Sequence, residues 1–122
     1  MAGAHAAHPS RRHAICASVS AVNAMRAEGR DAEARTHFAD LVARHQERAF
    51  RIAVHYLGDG EEADEAVQDA FVTAYIHLAS LPDDLPFEVW LIGILINGCL
   101  ARLRARSTVR LRLLRAVRRL LH

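Results

Sequence analysis

The chain has 122 residues, 52% hydrophobic and 25% charged, and carries a net charge of +2. That length supports one domain with ample apolar material for a core. Two cysteines, Cys16 and Cys99, are too few for a disulfide framework, which excludes the small stapled secreted folds and suits a reducing cytoplasmic compartment.

The net charge hides an asymmetry. Residues 101–122 hold eight arginines and no acid, whereas residues 1–100 hold eight arginines and fourteen acids. A basic end on a mildly acidic body points to phosphate or an acidic surface as a contact for that end. The N-terminus lacks the unbroken apolar run of a secretory signal. The uncharged stretch from Val89 to Ala101 is shorter than the roughly 20 residues that cross a bilayer, so a membrane role is disfavoured.

In chain order, residues 1–35 read as a mobile lead, rich in alanine, histidine and serine, with a marginal helix from Ser20 to about Glu28. His5, His8, His13 and Cys16 match no rigid zinc spacing, and no metal or other cofactor is expected. The first strong helix begins at Thr36, read as its N-cap. Phe38, Leu41, Val42, His45, Ala49, Ile52, Ala53, Tyr56 and Leu57 keep the i, i+3, i+4 pattern of one buried face. Gly58 to Gly60 ends it.

A second helix starts near Glu61, with acids in its first turn at the positive end of the helix dipole. Its stripe is Ala63, Val67, Ala70, Phe71, Ala74 and Leu78. The prolines of "SLPDDLPF" stop it. A third helix spans about Phe87 to Arg106. It is apolar almost all round between Val89 and Leu100, which predicts the central and most buried element. Residues 107–122 form a separate amphipathic helix. Leu113, Ala116, Val117, Leu120 and Leu121 share one face, and Arg112, Arg115 and Arg119 lie opposite. The expected architecture is all-α: a compact bundle of three main helices over residues 36–106, followed by a basic C-terminal helix.

Asp64, Glu65, Gln68 and Asp69 crowd one strip of the second helix. Like charges three and four residues apart cost a few tenths of a kcal/mol each. The strip is either a solvated face or a surface that meets a basic partner. The order of residues adds a third consideration. Leu57, Gly58 and Asp59, then Ala63, Asp64, Glu65, Gln68, Asp69 and Phe71, then Phe87, Trp90, Leu91, Ile94 and Asn97 form a spaced set. This set, with "FADLVARHQERAFRIAV" upstream, resembles region two of the extracytoplasmic-function sigma factors of bacterial RNA polymerase, over about residues 36–106.

The resemblance implies a transcription initiation factor, not an enzyme. It implies that Asp64, Glu65, Gln68 and Asp69 dock on the clamp coiled coil of the polymerase's largest subunit, whose arginines supply the missing positive charge. Glu65 stands where the family usually has aspartate. It further implies that Leu81, Trp90, Asn97, Arg102, Arg104 and Arg106 contact the minus-ten promoter strand. Five of the six have a plainer reading: Trp90 as a core residue, Asn97 as a satisfier of bundle polar groups, and the three arginines as a solvated helix end.

The loop departs from the family pattern. Asp83 and Asp84 stand where polar or basic residues are usual, Leu81 replaces phenylalanine, and Ile92 and Gly93 replace a Tyr-Arg pair. Added acids and a lost cation weaken strand capture. Full-length members carry a helix-turn-helix domain after a linker, whereas here the basic helix follows. The alternative is therefore a sigma mimic or adaptor that binds an anti-sigma factor or core polymerase without melting promoters. No small-molecule substrate is indicated.

Overall fold

The computed structural model describes residues 18–121, so the His5, His8, His13 and Cys16 group lies outside them. Among the described residues the fold is helical throughout. Helix α1 covers residues 18–27, α2 Asp31–Leu57, α3 Gly60–Ile76 and α4 Phe87–Leu121, with a 3-10 turn at Leu78–Ser80 between the last two. The all-α expectation stands.

Helices α2, α3 and α4 pack against one another in pairs. The α2 face is Ala34, Phe38, Leu41, His45, Ala49, Ala53 and Leu57, every third or fourth residue. Helix α3 buries Ala63, Ala66, Ala70 and Ala74 together with Val67 and Phe71. Val67 and Phe71 border α2, whereas Ala66 and Ala70 border α4 beside Gly98 and Ala101, where small side chains let the two backbones approach closely. Phe38 ties the three helices together. Its ring meets Phe71, Tyr75 and Phe87 edge-on, at centroid distances of 6.5, 5.0 and 6.4 Å. His45 is buried with its Nδ1 2.8 Å from the Leu41 carbonyl oxygen, and its ring lies 5.4 Å from that of Phe87.

The α2–α3 connection fixes the angle of the ridge described below. Gly58 closes α2 in the left-handed region at φ 76°, and its N–H donates to the Val54 carbonyl. Asp59 then caps α3, its carboxylate accepting from the Glu61 N–H at 3.1 Å.

Four expectations need correction. First, α2 begins at Asp31, five residues before Thr36. Thr36 is no cap: its hydroxyl donates to the Ala32 carbonyl inside the helix. Second, the helix expected at Ser20 to about Glu28 forms, over residues 18–27, but it is docked on the bundle and is not part of a mobile lead. Val19 and Val22 of α1 are buried, and the Arg26 guanidinium stacks 4.5 Å over the Tyr75 ring while donating to the Tyr75 carbonyl.

Third, no break occurs near residue 107; α4 runs unbroken to Leu121. Fourth, α4 is not the most buried element. Only Phe87, Leu91, Leu95 and Cys99 are fully buried; Trp90, Ile92, Ile94 and Leu103 are half-covered at the flanks, and Val89 and Leu100 are exposed, because the neighbouring helices do not surround α4.

Candidate functional site

Asp64, Glu65, Gln68 and Asp69 are all exposed on α3, opposite its alanine face. The strip divides lengthwise. On the α2 side, Gln68 donates through Nε2 to Asp64 Oδ2 at 2.9 Å, a pair set by the four-residue helical repeat. Among the described residues no cation pairs with Asp64. This pair borders a shallow groove with Val42, Gln46, Glu47 and Val72, and Val72 is 59% exposed.

On the α4 side, Arg102 reaches across to the other two acids. Its Nη2 lies 2.6 Å from Asp69 Oδ2 and its Nη1 lies 3.6 Å from Glu65 Oε2. The side chains of Asp69 and Glu65 nonetheless stay 74% and 63% exposed. Such pairs contribute little to stability, and the outward carboxylate oxygens remain accessible. A ridge wholly without internal counter-charge is therefore not what forms: Asp64 fits that description, and Glu65 and Asp69 share one arginine.

The residues predicted for strand contact do not converge. Arg102 turns to α3, as does Arg106, which pairs with Glu62 and donates to the Leu57 carbonyl at 3.3 Å. That second bond satisfies an otherwise orphaned carbonyl at the end of α2. Trp90, Asn97 and Arg104 are seven residues apart and so lie along one side of α4. Asn97 and Arg104 are exposed, and Trp90 is half-buried with its ring 6.2 Å from Phe87. Asn97 therefore does not satisfy the bundle interior. Gly93 lies on the same side, and a Cβ built there would meet nothing within 4 Å.

Leu81 is half-buried at the end of the 3-10 turn, with Asp83 and Asp84 exposed just beyond it. It borders a small pocket with Asn23, Pro82, Leu85 and Phe87. Asn23 was missed from the sequence. Its Nδ2 donates weakly to the Leu78 carbonyl at 3.5 Å, while its Oδ1 is buried and has no partner among the described residues. Nothing in the alanine-rich run around it marks such a position.

An alanine seam, an acidic-glutamine strip and a long arginine-bearing helix invite comparison with known proteins. The family profile for Sigma-70 region 2 matches residues 41–109. This chain belongs to the sigma-70 region 2 family. Among curated proteins, it is 30% identical over 70 residues to the ECF RNA polymerase sigma factor SigW of Bacillus subtilis, covering 57% of this chain and 37% of that one.

It is 37% identical over 70 residues to the ECF RNA polymerase sigma factor SigM of Mycobacterium tuberculosis, covering 57% and 36%. It is 35% identical over 67 residues to the RNA polymerase sigma-H factor of Pseudomonas aeruginosa, covering 55% and 35%. The region-two chain thus aligns with little more than a third of the length of these relatives. No solved structure matches it. Among the described residues no helix is long and apolar enough to cross a membrane.

Proposed function

We propose that this chain acts as the region-two domain of an extracytoplasmic-function sigma factor, seating on core RNA polymerase through the α3 ridge in the cytoplasm. The observation that carries the reading is the exposed Asp64–Gln68 pair beside Val72, held by its own hydrogen bond and free of any described cation. The Gln68 bond fixes the Asp64 carboxylate before a partner arrives, so little side-chain entropy remains to be lost on docking. An arginine of the clamp coiled coil then finds a preset carboxylate and, in the Gln68 carbonyl, a second acceptor. Glu65 and Asp69 extend the field that steers encounter, reduced by Arg102. Binding, not bond-making, is the role.

For the promoter strand, the reading is narrower than the sequence implied. With Arg102 and Arg106 engaged on α3, Trp90, Asn97 and Arg104 remain as the outward strip, and Asn23 adds an unpaired acceptor near Leu81. That reduced cation count, with Asp83 and Asp84 exposed nearby, also supports the second reading: a sigma mimic that holds polymerase or an anti-sigma factor without melting DNA.

A pull-down with core polymerase tests the primary reading. Gln68→Ala and Asp69→Arg should each reduce capture, and full capture by both variants would remove the ridge from the account. Fluorescence anisotropy on the single-stranded minus-ten element separates the two readings. Sequence-selective binding lost in Trp90→Ala supports the initiator, and salt-sensitive binding without preference supports the mimic.

A further inference from the structure

Beyond Arg106, α4 runs on to Leu121 with every residue exposed. The two sides of this overhang differ. Val109, Leu113, Val117 and Leu121 each lie about five full turns after Leu91, Leu95, Cys99 and Leu103. Those earlier residues face the core, so the aliphatic side of the overhang continues the bundle-facing stripe. The other side carries arginines. Arg115 lies about five turns after Asn97, and Arg119 about eight turns after Trp90, with Arg112 and Arg118 flanking them. The outward strip of Trp90, Asn97 and Arg104 thus does not end at the bundle. It continues along the overhang as a row of cations.

That row has no internal counter-charge. Residues 89–122 hold eight arginines and no acid. Arg102 and Arg106 turn to the acids of α3, on the bundle side. Among the described residues Arg104, Arg112, Arg115, Arg118 and Arg119 form no ion pair, and all five are exposed.

We infer that this arginine row holds the phosphate backbone of double-stranded DNA, without regard to sequence, beside the single strand assigned to Trp90 and Asn97. The inference rests on the reading of that outward strip as a strand-binding surface and adds a second kind of contact to it. From Arg104 to Arg119 the helix rises about 22 Å. That exceeds the ~12 Å width of a major groove, so one row reaches phosphates on both edges of the groove. Guanidinium groups pair with phosphate through two parallel hydrogen bonds. Residues 107–122 contain no aromatic side chain, so an unpaired base has nothing there to stack on, and charge alone is left to act.

The orientation favours a duplex over a lipid surface. The arginine side faces away from the bundle, so a rod can lie along it unobstructed. An anionic bilayer would have to take up the aliphatic side, and there the bundle end stands in its way.

Fluorescence anisotropy of the full chain on a labelled duplex of arbitrary sequence, over a salt series, tests the inference. The wild type should bind with a Kd of about 10⁻⁴–10⁻⁶ M near physiological salt. Arg112→Gln, Arg115→Gln and Arg119→Gln combined should make log K against log salt shallower by about 2–3, since each phosphate contact contributes about 0.9. Arg110→Gln removes the same charge as any one of these, but from the groove on the bundle side, and should leave the slope unchanged. The single-stranded minus-ten element, with Trp90→Ala, is measured separately, so failure of the strand reading and failure of this one are distinguishable. Circular dichroism confirms that each variant remains helical. An unchanged slope in the triple variant overturns the inference. So does a drop in Arg110→Gln equal to that in Arg115→Gln alone, or a helical wild type that does not bind the duplex. Binding to phosphatidylglycerol vesicles or poly-glutamate at least as tight as to the duplex overturns it too.

Discussion

Removing Arg102 distinguishes an internal counter-charge of the ridge from a direct contact with polymerase. The guanidinium lies 2.6 Å from Asp69 and 3.6 Å from Glu65, both mostly exposed. Arg102→Ala therefore costs less than ~1 kcal/mol of stability, the range of solvent-exposed pairs. The same change leaves the α3 ridge one charge more negative. A partner cation about 7 Å from the vacated position gains ~0.6 kcal/mol in water, before screening.

That gain corresponds to a two- to threefold tighter complex with core polymerase at low salt. It should fade as the Debye length falls to about 8 Å near physiological ionic strength. Arg104→Ala is the control. It changes the net charge equally, but on the Trp90 and Asn97 side of α4, so polymerase affinity should move less. Anisotropy of the labelled chain titrated with core polymerase at two salt concentrations reads both effects. If Arg102→Ala weakened the complex at both, Arg102 would be a contact and not an internal counter-charge, and the electrostatic reasoning for the ridge would fail.

Other predictions concern the frame that holds the ridge. Leu95 is fully buried between α4 and its neighbours, so Leu95→Ala should cost about 2–5 kcal/mol in urea unfolding. Gly93 is helical and open, so Gly93→Ala should add about 1 kcal/mol, some 4–8 °C in melting temperature for a domain of this size. Gly93→Arg should tighten single-strand binding by adding a cation beside Trp90 and Asn97, and weaker binding would exclude that strip as a DNA surface. Cys99 is buried, and burial pushes its thiol above the ordinary value, so thiolate is scarcer at every working pH. It should resist alkylation at neutral pH until the chain unfolds; prompt native-state labelling would show that α4 detaches from the bundle.

The sequence is legible where periodicity is strong. The buried faces of α2 and α3 and the proline-bounded loop follow in outline from spacing and turn chemistry, although Val42, Ile52 and Tyr56 are only half-buried and Ala34 and Ala66 join the covered faces. Two boundaries are misread for one reason. Thr36 resembles a helix start, and a division is set at Ser107, yet Thr36 and Thr108 each donate a hydroxyl to the carbonyl four residues earlier. Such threonines satisfy themselves inside a continuous helix, and neither glycine nor proline is present to stop it.

Docking of α1 rests on Val19, Val22 and the Arg26–Tyr75 stack, too few apolar positions to stand out in an alanine-rich run. At the site, exposure of the four ridge residues follows from their phase on α3. The reach of Arg102 and Arg106 across the α3–α4 crossing does not, because pairing over more than thirty residues depends on where two helices cross. Asn23 is hidden for a similar reason: its neighbours come from the loop after α3 and the start of α4.

Charge exchange across the proposed contact is the most direct test of what the α3 ridge is for. Asp64→Arg should reduce affinity for wild-type core polymerase more than tenfold. Affinity should then return, at least in part, when the facing clamp arginine is reversed to glutamate. Unchanged affinity in Asp64→Arg, or a loss that no reversal on the coiled coil restores, would contradict the assignment of α3 as the surface that meets polymerase.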